Sequence, residues 1–168
     1  MAANKRPTRR SARELAFQVL YGLCFSPAKD KDALWRQFVL SPHNAAMSEA
    51  DLDSEPSGFA WELVDGVWSH TQELDEAIGR FSHNWRVDRL GKIELTILRL
   101  ALFELFWRDD VPPKAAINEA LELAREFGDE KARAFLNGIL DAAARSAASR
   151  EGAEAPALQC DREAGKKE

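Results

Sequence analysis

Cysteine is nearly missing from this chain: two among 168 residues, Cys24 in an apolar helical run and Cys160 in a polar stretch. Thiols so placed give neither a metal-ligand spacing nor a disulfide framework, and they fit a reducing cytoplasm. The three histidines, His43, His70 and His83, stand apart with no cysteine or carboxylate constellation around them. No metal and no cofactor are therefore expected. Long apolar runs are missing too. The most apolar stretch, Ile93 to Trp107, is interrupted by Glu94, Arg99 and Glu104, and is too short and too charged to span a bilayer. No signal-peptide core follows the N-terminus, because Glu14 and Gln18 break the next run. A soluble, cytoplasmic protein is expected. Glycine-rich phosphate loops, nucleophile elbows and Cys–His pairings are absent. Asp109 and Asp110 resemble a paired carboxylate, but two prolines follow them, and capping of the next helix accounts for them better than acid–base chemistry. No catalytic residue is assigned, and an enzyme is not expected.

What the chain does contain is helix-forming sequence. β-Branched residues are sparse, Ala, Leu, Glu and Arg dominate, and 45% of the residues are apolar. The length suits one domain with tails. Apolar spacing predicts a first helix with Ala12, Leu15, Ala16, Val19, Leu20 and Leu23 inward, starting either at Thr8 or at a Ser11/Glu14 capping box. Further helices are predicted over Asp30–Leu40, Gly58–Ser69, Thr71–Phe81 and Leu90–Arg108, the last capped by Asp88. That last helix is apolar nearly all round and should be the buried hub. Pro113–Phe127 follows, ending in Gly128 as a left-handed cap. Asp129 then caps a helix with the stripe Ala132, Phe135, Leu136, Ile139, Leu140 and Ala143. The predicted fold is all-α, a compact bundle of about seven helices in two sub-bundles, three N-terminal and four C-terminal. Residues 1–8 read as a flexible basic arm and 146–168 as a disordered tail.

One feature conflicts with the global balance. The net charge is −5, yet Lys5, Arg6, Arg9, Arg10 and Arg13 crowd the front end. A helix N-terminus disfavours cations by roughly 0.3–1 kcal/mol each. Such a cluster calls for an outside anion, and nucleic-acid phosphate is the first choice, since the arginine fork grips phosphate bidentately. The competing account is a solvated basic tail.

Two stretches carry a family resemblance: RRSARELAFQVLYG at 9–22 and ILRLALFELFWRDDVPPKAAINEALELAREFGDEKARAFLNGILDAAAR at 97–145. The chain resembles the NusB family of bacterial transcription antitermination factors. The resemblance implies an all-helical protein that binds the boxA element of nascent ribosomal RNA transcripts together with NusE, a small-subunit ribosomal protein. It also implies joining RNA polymerase with NusA and NusG, without catalysis. It assigns RNA contacts to Arg9, Arg10 and Arg13; Ser11 stands where the family commonly has a further arginine, and Lys5 and Arg6 are candidates to compensate for that contact. It assigns others to the tip between the last two helices: Phe127, Gly128 and Lys131, with Phe135 and Asn137 just beyond. It assigns NusE contacts to Glu94 and Asp88, whose charge suits a basic partner. Each tip residue has a plainer account as well. Phe127 and Phe135 continue apolar stripes, Gly128 is first a cap, Asn137 and Asn118 read as satisfied buried polar groups, and Gly138 implies close helix packing or backbone approach. An accessory domain of a ribosomal RNA methyltransferase and a helical DNA-binding regulator are the alternatives. Self-association of the free protein stays open.

Overall fold

A computed structural model describes residues 8–83 and 89–151; Lys5, Arg6 and Asp88 lie outside the described residues. Among these residues there are seven α-helices: α1 Arg9–Leu23, α2 Lys31–Val39, α3 Phe59–Ser69, α4 Thr71–Phe81, α5 Lys92–Trp107, α6 Pro113–Phe127 and α7 Glu130–Glu151. None of the described helices is long and apolar enough to cross a membrane.

Local chemistry explains most boundaries. Thr8, not Ser11, caps α1: its hydroxyl accepts from the Ser11 amide at 3.1 Å, which places Ser11 inside the first turn. Asp30 caps α2 and Asp129 begins α7 in the same way, each carboxylate accepting from the amide three residues on at 2.7 Å. Gly58 precedes α3 at φ 98°, a backbone conformation that favours glycine. Pro113 stands at the first position of α6, where its missing N–H leaves no helical bond unmade.

Four expectations change. The hub helix begins after Gly91, so its cap is Gly91 rather than Asp88. Gly128 is extended, at φ −110°, not left-handed. Glycine is still required there, because a Cβ would lie 2.9 Å from the Ala124 carbonyl oxygen. Helix α7 continues to Glu151, beyond the predicted tail boundary at residue 146. Its alanine-rich end keeps Ala143 buried and Ala144, Ser146 and Ala147 half-buried, which extends the helix past the last large apolar side chain. Gly138 is open: a Cβ there would meet nothing within 4 Å, so no close packing requires it.

The hub prediction holds. Helix α5 buries Ile97, Leu98, Leu100, Ala101, Leu102 and Phe103 and packs against α1, α3, α4, α6 and α7. Helices α1 to α3 form one sub-bundle around Leu34, Trp35, Phe38 and Trp61, with the Trp35 indole N–H donating to the Leu52 carbonyl. Helices α4 to α7 form the other around Leu74, Ile78, Leu136 and Leu140. Their shared core sets α1 against the α5–α6 pair, which positions the arginines described next.

Candidate nucleic-acid interface

The arginines of α1 separate into two kinds. Arg13 is buried, 5% exposed, and its guanidinium grips the Glu104 carboxylate of α5 through three contacts of 2.9, 3.0 and 2.7 Å. Glu104 is 2% exposed. The expectation that Arg13 stands at the helix edge for RNA is therefore corrected. The α1 stripe is rotated from the predicted one: Arg13 and Phe17 are fully buried, while Leu15 and Leu23 are half-buried. The signal for this was in the sequence. Glu104 interrupts the most apolar helix, and a carboxylate buried there needs a cation beside it.

Arg9 and Arg10 are exposed, but each has a carboxylate of this chain. Arg9 donates to the Asp110 carboxylate at 2.8 Å and to the Asp110 carbonyl at 3.2 Å. Arg10 donates to Glu122 at 3.1 Å and lies 3.6 Å from Glu14. The Glu122 hydrogen bond raises the Arg10 pKa above its ordinary value. The premise that these charges lack an internal anion is thus overturned. The first turn of α1 contains no acid, and the fold supplies acids from the α5–α6 connection and α6 instead.

A second set of contacts joins this seam. Arg108, at the end of α5, donates to both oxygens of Asp110 at 2.8 and 3.0 Å and to Glu62 of α3. The guanidinium carbons of Arg9, Arg13 and Arg108 lie 4.7, 5.3 and 5.2 Å from the centroid of the Phe59 ring. Cations over an aromatic face gain electrostatically from the ring quadrupole. Asp110 therefore belongs to an arginine network; the residue before α6 is Pro112, and the predicted capping role is not seen. Arg108 first, and Arg9 second, hold the Asp110 carboxyl down at about 2, against an ordinary 3.8. A carboxyl whose folded pKa is depressed adds stability that is complete above its unfolded pKa and lost as pH falls through the folded one. Carbon-13 NMR should place the Asp110 midpoint near 2. In Arg108→Gln the midpoint should return most of the way to the ordinary value.

The α6–α7 tip meets α1 through Phe127. Phe127 packs on Phe17 of α1, centroids 4.7 Å apart, and Phe17 sits about 10 Å along the helix from Arg10. Phe127 and Phe135 are half-buried and packed against the core, in line with their apolar stripes. Gly128 is half-buried, and Lys131 is exposed beside it. Asn137 is half-buried and donates to Asp141 at 3.2 Å, whereas Asn118 is exposed rather than buried. Glu94 is half-buried in the first turn of α5, its carboxylate folded over Gly91 in the space a side chain there would fill. That is a favourable place for an anion, at the positive end of a helix.

Elsewhere, a cleft of about 340 Å³ opens between α1, α3 and α5, lined by Leu20, Cys24, Trp68, Thr96 and Arg99 among others. Arg99 is tied to Asp75 by two 2.7 Å contacts. The cleft offers room but no acid–base pair. Among the described residues no group of three or more His, Cys, Asp or Glu could hold a metal ion.

Comparison with known proteins places this arrangement. The NusB family model matches residues 10–145. A transcription antitermination protein NusB of Desulfovibrio desulfuricans is 61% identical over 147 residues, spanning 87% of this chain and 90% of the relative. Its counterpart in Myxococcus xanthus is 47% identical over 133 residues, spanning 79% and 91%. Among solved structures, NusB of T. maritima is similar with a TM-score of 0.68 at 27% identity, covering 86% of this chain and 95% of that one. A crystal structure of antitermination factors NusB and NusE in complex with dsRNA gives 0.65 at 28% identity, covering 82% and 96%. The chain belongs to the NusB family, a family of transcription antitermination factors and not of enzymes.

Proposed function

We propose that this protein binds boxA-type single-stranded RNA in nascent ribosomal RNA transcripts, together with NusE, and acts in antitermination on the elongation complex with NusA, NusG and RNA polymerase. The family match over residues 10–145 carries this reading. The similar structure of NusB and NusE in complex with dsRNA supports its RNA-binding and NusE-binding parts. The bundle geometry adds a surface: exposed Arg9 and Arg10 on α1, Phe127 against Phe17, and exposed Lys131 at the α6–α7 tip. Lys5 and Arg6 are proposed as further RNA contacts.

The direct test is fluorescence anisotropy with a labelled boxA-type RNA, alone and with NusE. An Arg9→Ala/Arg10→Ala double variant is expected to bind about tenfold more weakly, with a salt slope shallower by at most about 1.4 for two phosphate contacts on a single strand. Unchanged affinity and slope would remove these two residues from the interface. For the partner, Glu94 and Asp88 are the proposed contacts. Glu94→Lys is expected to weaken NusE binding about tenfold in calorimetry, roughly the coupling of one close charge pair. An unchanged titration would exclude the contact at Glu94. Circular dichroism melting of each variant separates loss of binding from loss of fold.

A further inference from the structure

We propose that Glu122 and Asp110 are built-in competitors of RNA phosphate: each occupies a surface arginine of α1 in the free protein, and binding exchanges that carboxylate for a phosphate. The proposal rests on the RNA-binding reading of the previous subsection and adds residues which that reading does not assign.

Arg9 and Arg10 have side chains 52% and 51% exposed, so phosphate can reach them, whereas Arg13 at 6% is closed off. Neither exposed guanidinium is unoccupied. Asp110 holds Arg9 at 2.8 Å, and Glu122 holds Arg10 at 3.1 Å. Both acids come from distant parts of the chain, so the contacts are made by the tertiary fold and not by helix spacing. The acids themselves are half-exposed, 44% and 31%, and stand at the surface beside the guanidinium they hold. A phosphate arriving there meets the carboxylate before it gains the arginine.

Exchange is energetically open. Exposed ion pairs of this kind contribute little, because solvent already screens them. Each acid also has a second cation to fall back on. Asp110 keeps both contacts to Arg108, and Glu122 keeps Arg125 at 2.5 Å. Releasing Arg9 or Arg10 therefore strands no carboxylate. Glu14 remains as a weaker neighbour of Arg10 at 3.6 Å.

The exchange leaves a thermodynamic mark. A phosphate that pairs with a salt-solvated arginine releases its condensed cation, adding about −0.7 to the slope of log K against log salt on a single strand. A phosphate that displaces a carboxylate still releases that cation, because the carboxylate stays paired with Arg108 or Arg125. The mark of exchange is therefore a change in affinity that depends on the arginine, with the slope unchanged.

The experiment is anisotropy of full-length protein with a fluorescein-labelled boxA-type RNA, over about 50 to 200 mM KCl. The proteins compared are wild type, Glu122→Gln, Arg10→Ala and the double variant. The glutamine keeps the shape and removes the charge. Glu122→Gln is expected to bind RNA about 3- to 10-fold more tightly, roughly the 1 kcal/mol of one exposed ion pair, with the slope unchanged. In the Arg10→Ala background the same change should have little effect. Asp110→Asn should behave alike, dependent on Arg9. Equal tightening with and without Arg10 would overturn the exchange, because a general field of negative charge would explain it. No tightening by Glu122→Gln, with Arg10→Ala still weakening binding, would overturn it while leaving the RNA reading intact. If Arg10→Ala and Arg9→Ala both leave affinity unchanged, the RNA role of the exposed arginines fails and the exchange fails with it.

Discussion

Replacing Arg13 by alanine is expected to destabilise the fold by about 3–5 kcal/mol, because it leaves the Glu104 carboxylate buried and without its cation. Glu104 has both oxygens engaged by Arg13, at 2.9, 3.0 and 2.7 Å, within the hub helix. No solvent reaches it to compensate at 2% exposure. Arg13→Lys should also lose stability, since an ammonium cannot reproduce the two-pronged grip. The informative partner is Arg13→Met with Glu104→Leu. Removing both charges together is often neutral or favourable, because neither ion then has to leave water. Urea unfolding should show the single variants destabilised and the double variant near wild type. If the double variant also keeps its RNA affinity, Arg13 fastens α1 to α5 and does not contact RNA. A drop in affinity with stability intact would give Arg13 a direct role.

The second large effect is expected at Gly66, where α3 crosses α5. A Cβ there would fall on the Phe103 ring, with Cε1 and Cε2 each 2.5 Å away. The ring is buried, 6% exposed, and on one side it is backed by His70 and Trp107, with centroid separations of 5.8 and 5.9 Å. Overpacking of this kind costs about 1–3 kcal/mol, against roughly 1 kcal/mol regained from alanine's helix propensity. With so close an overlap, a net loss of about 2 kcal/mol is expected for Gly66→Ala, or a melting point roughly 4–8 °C lower. Gly138→Ala is the control. It is also inside a helix, but a Cβ there has open space, and a gain of up to about 1 kcal/mol is expected. The same substitution should thus move the melting temperature in opposite directions. A stabilised Gly66→Ala would mean that Phe103 can move aside.

The helices were largely legible because each has a local cause. Asp30, Asp129 and Pro113 mark starts by chemistry that acts within one turn. Periodicity located Thr71–Phe81 and Pro113–Phe127 as the structure has them. Local rules failed where two causes competed. Thr8 and Ser11 both offered caps, and the earlier one holds the helix start. Gly128 looked like a left-handed cap because glycine commonly is one; here steric contact with Ala124, not backbone handedness, demands it. At Gly138 no neighbour was there to justify the residue.

The candidate site was less legible, for a physical reason. Charge repulsion at the start of α1 is a local quantity, and read locally it pointed outward to an external anion. The carboxylates that answer it are 91 to 112 positions away: Glu104 for Arg13, Asp110 for Arg9, Glu122 for Arg10. Sequence order carries no measure of that distance in space. The sequence by itself determined an all-α chain, a buried hub helix, the family, and a basic α1. Only the tertiary structure decided which arginine is sealed in the core and which two remain at the surface, because that depends on which face of α1 the α5–α6 pair covers.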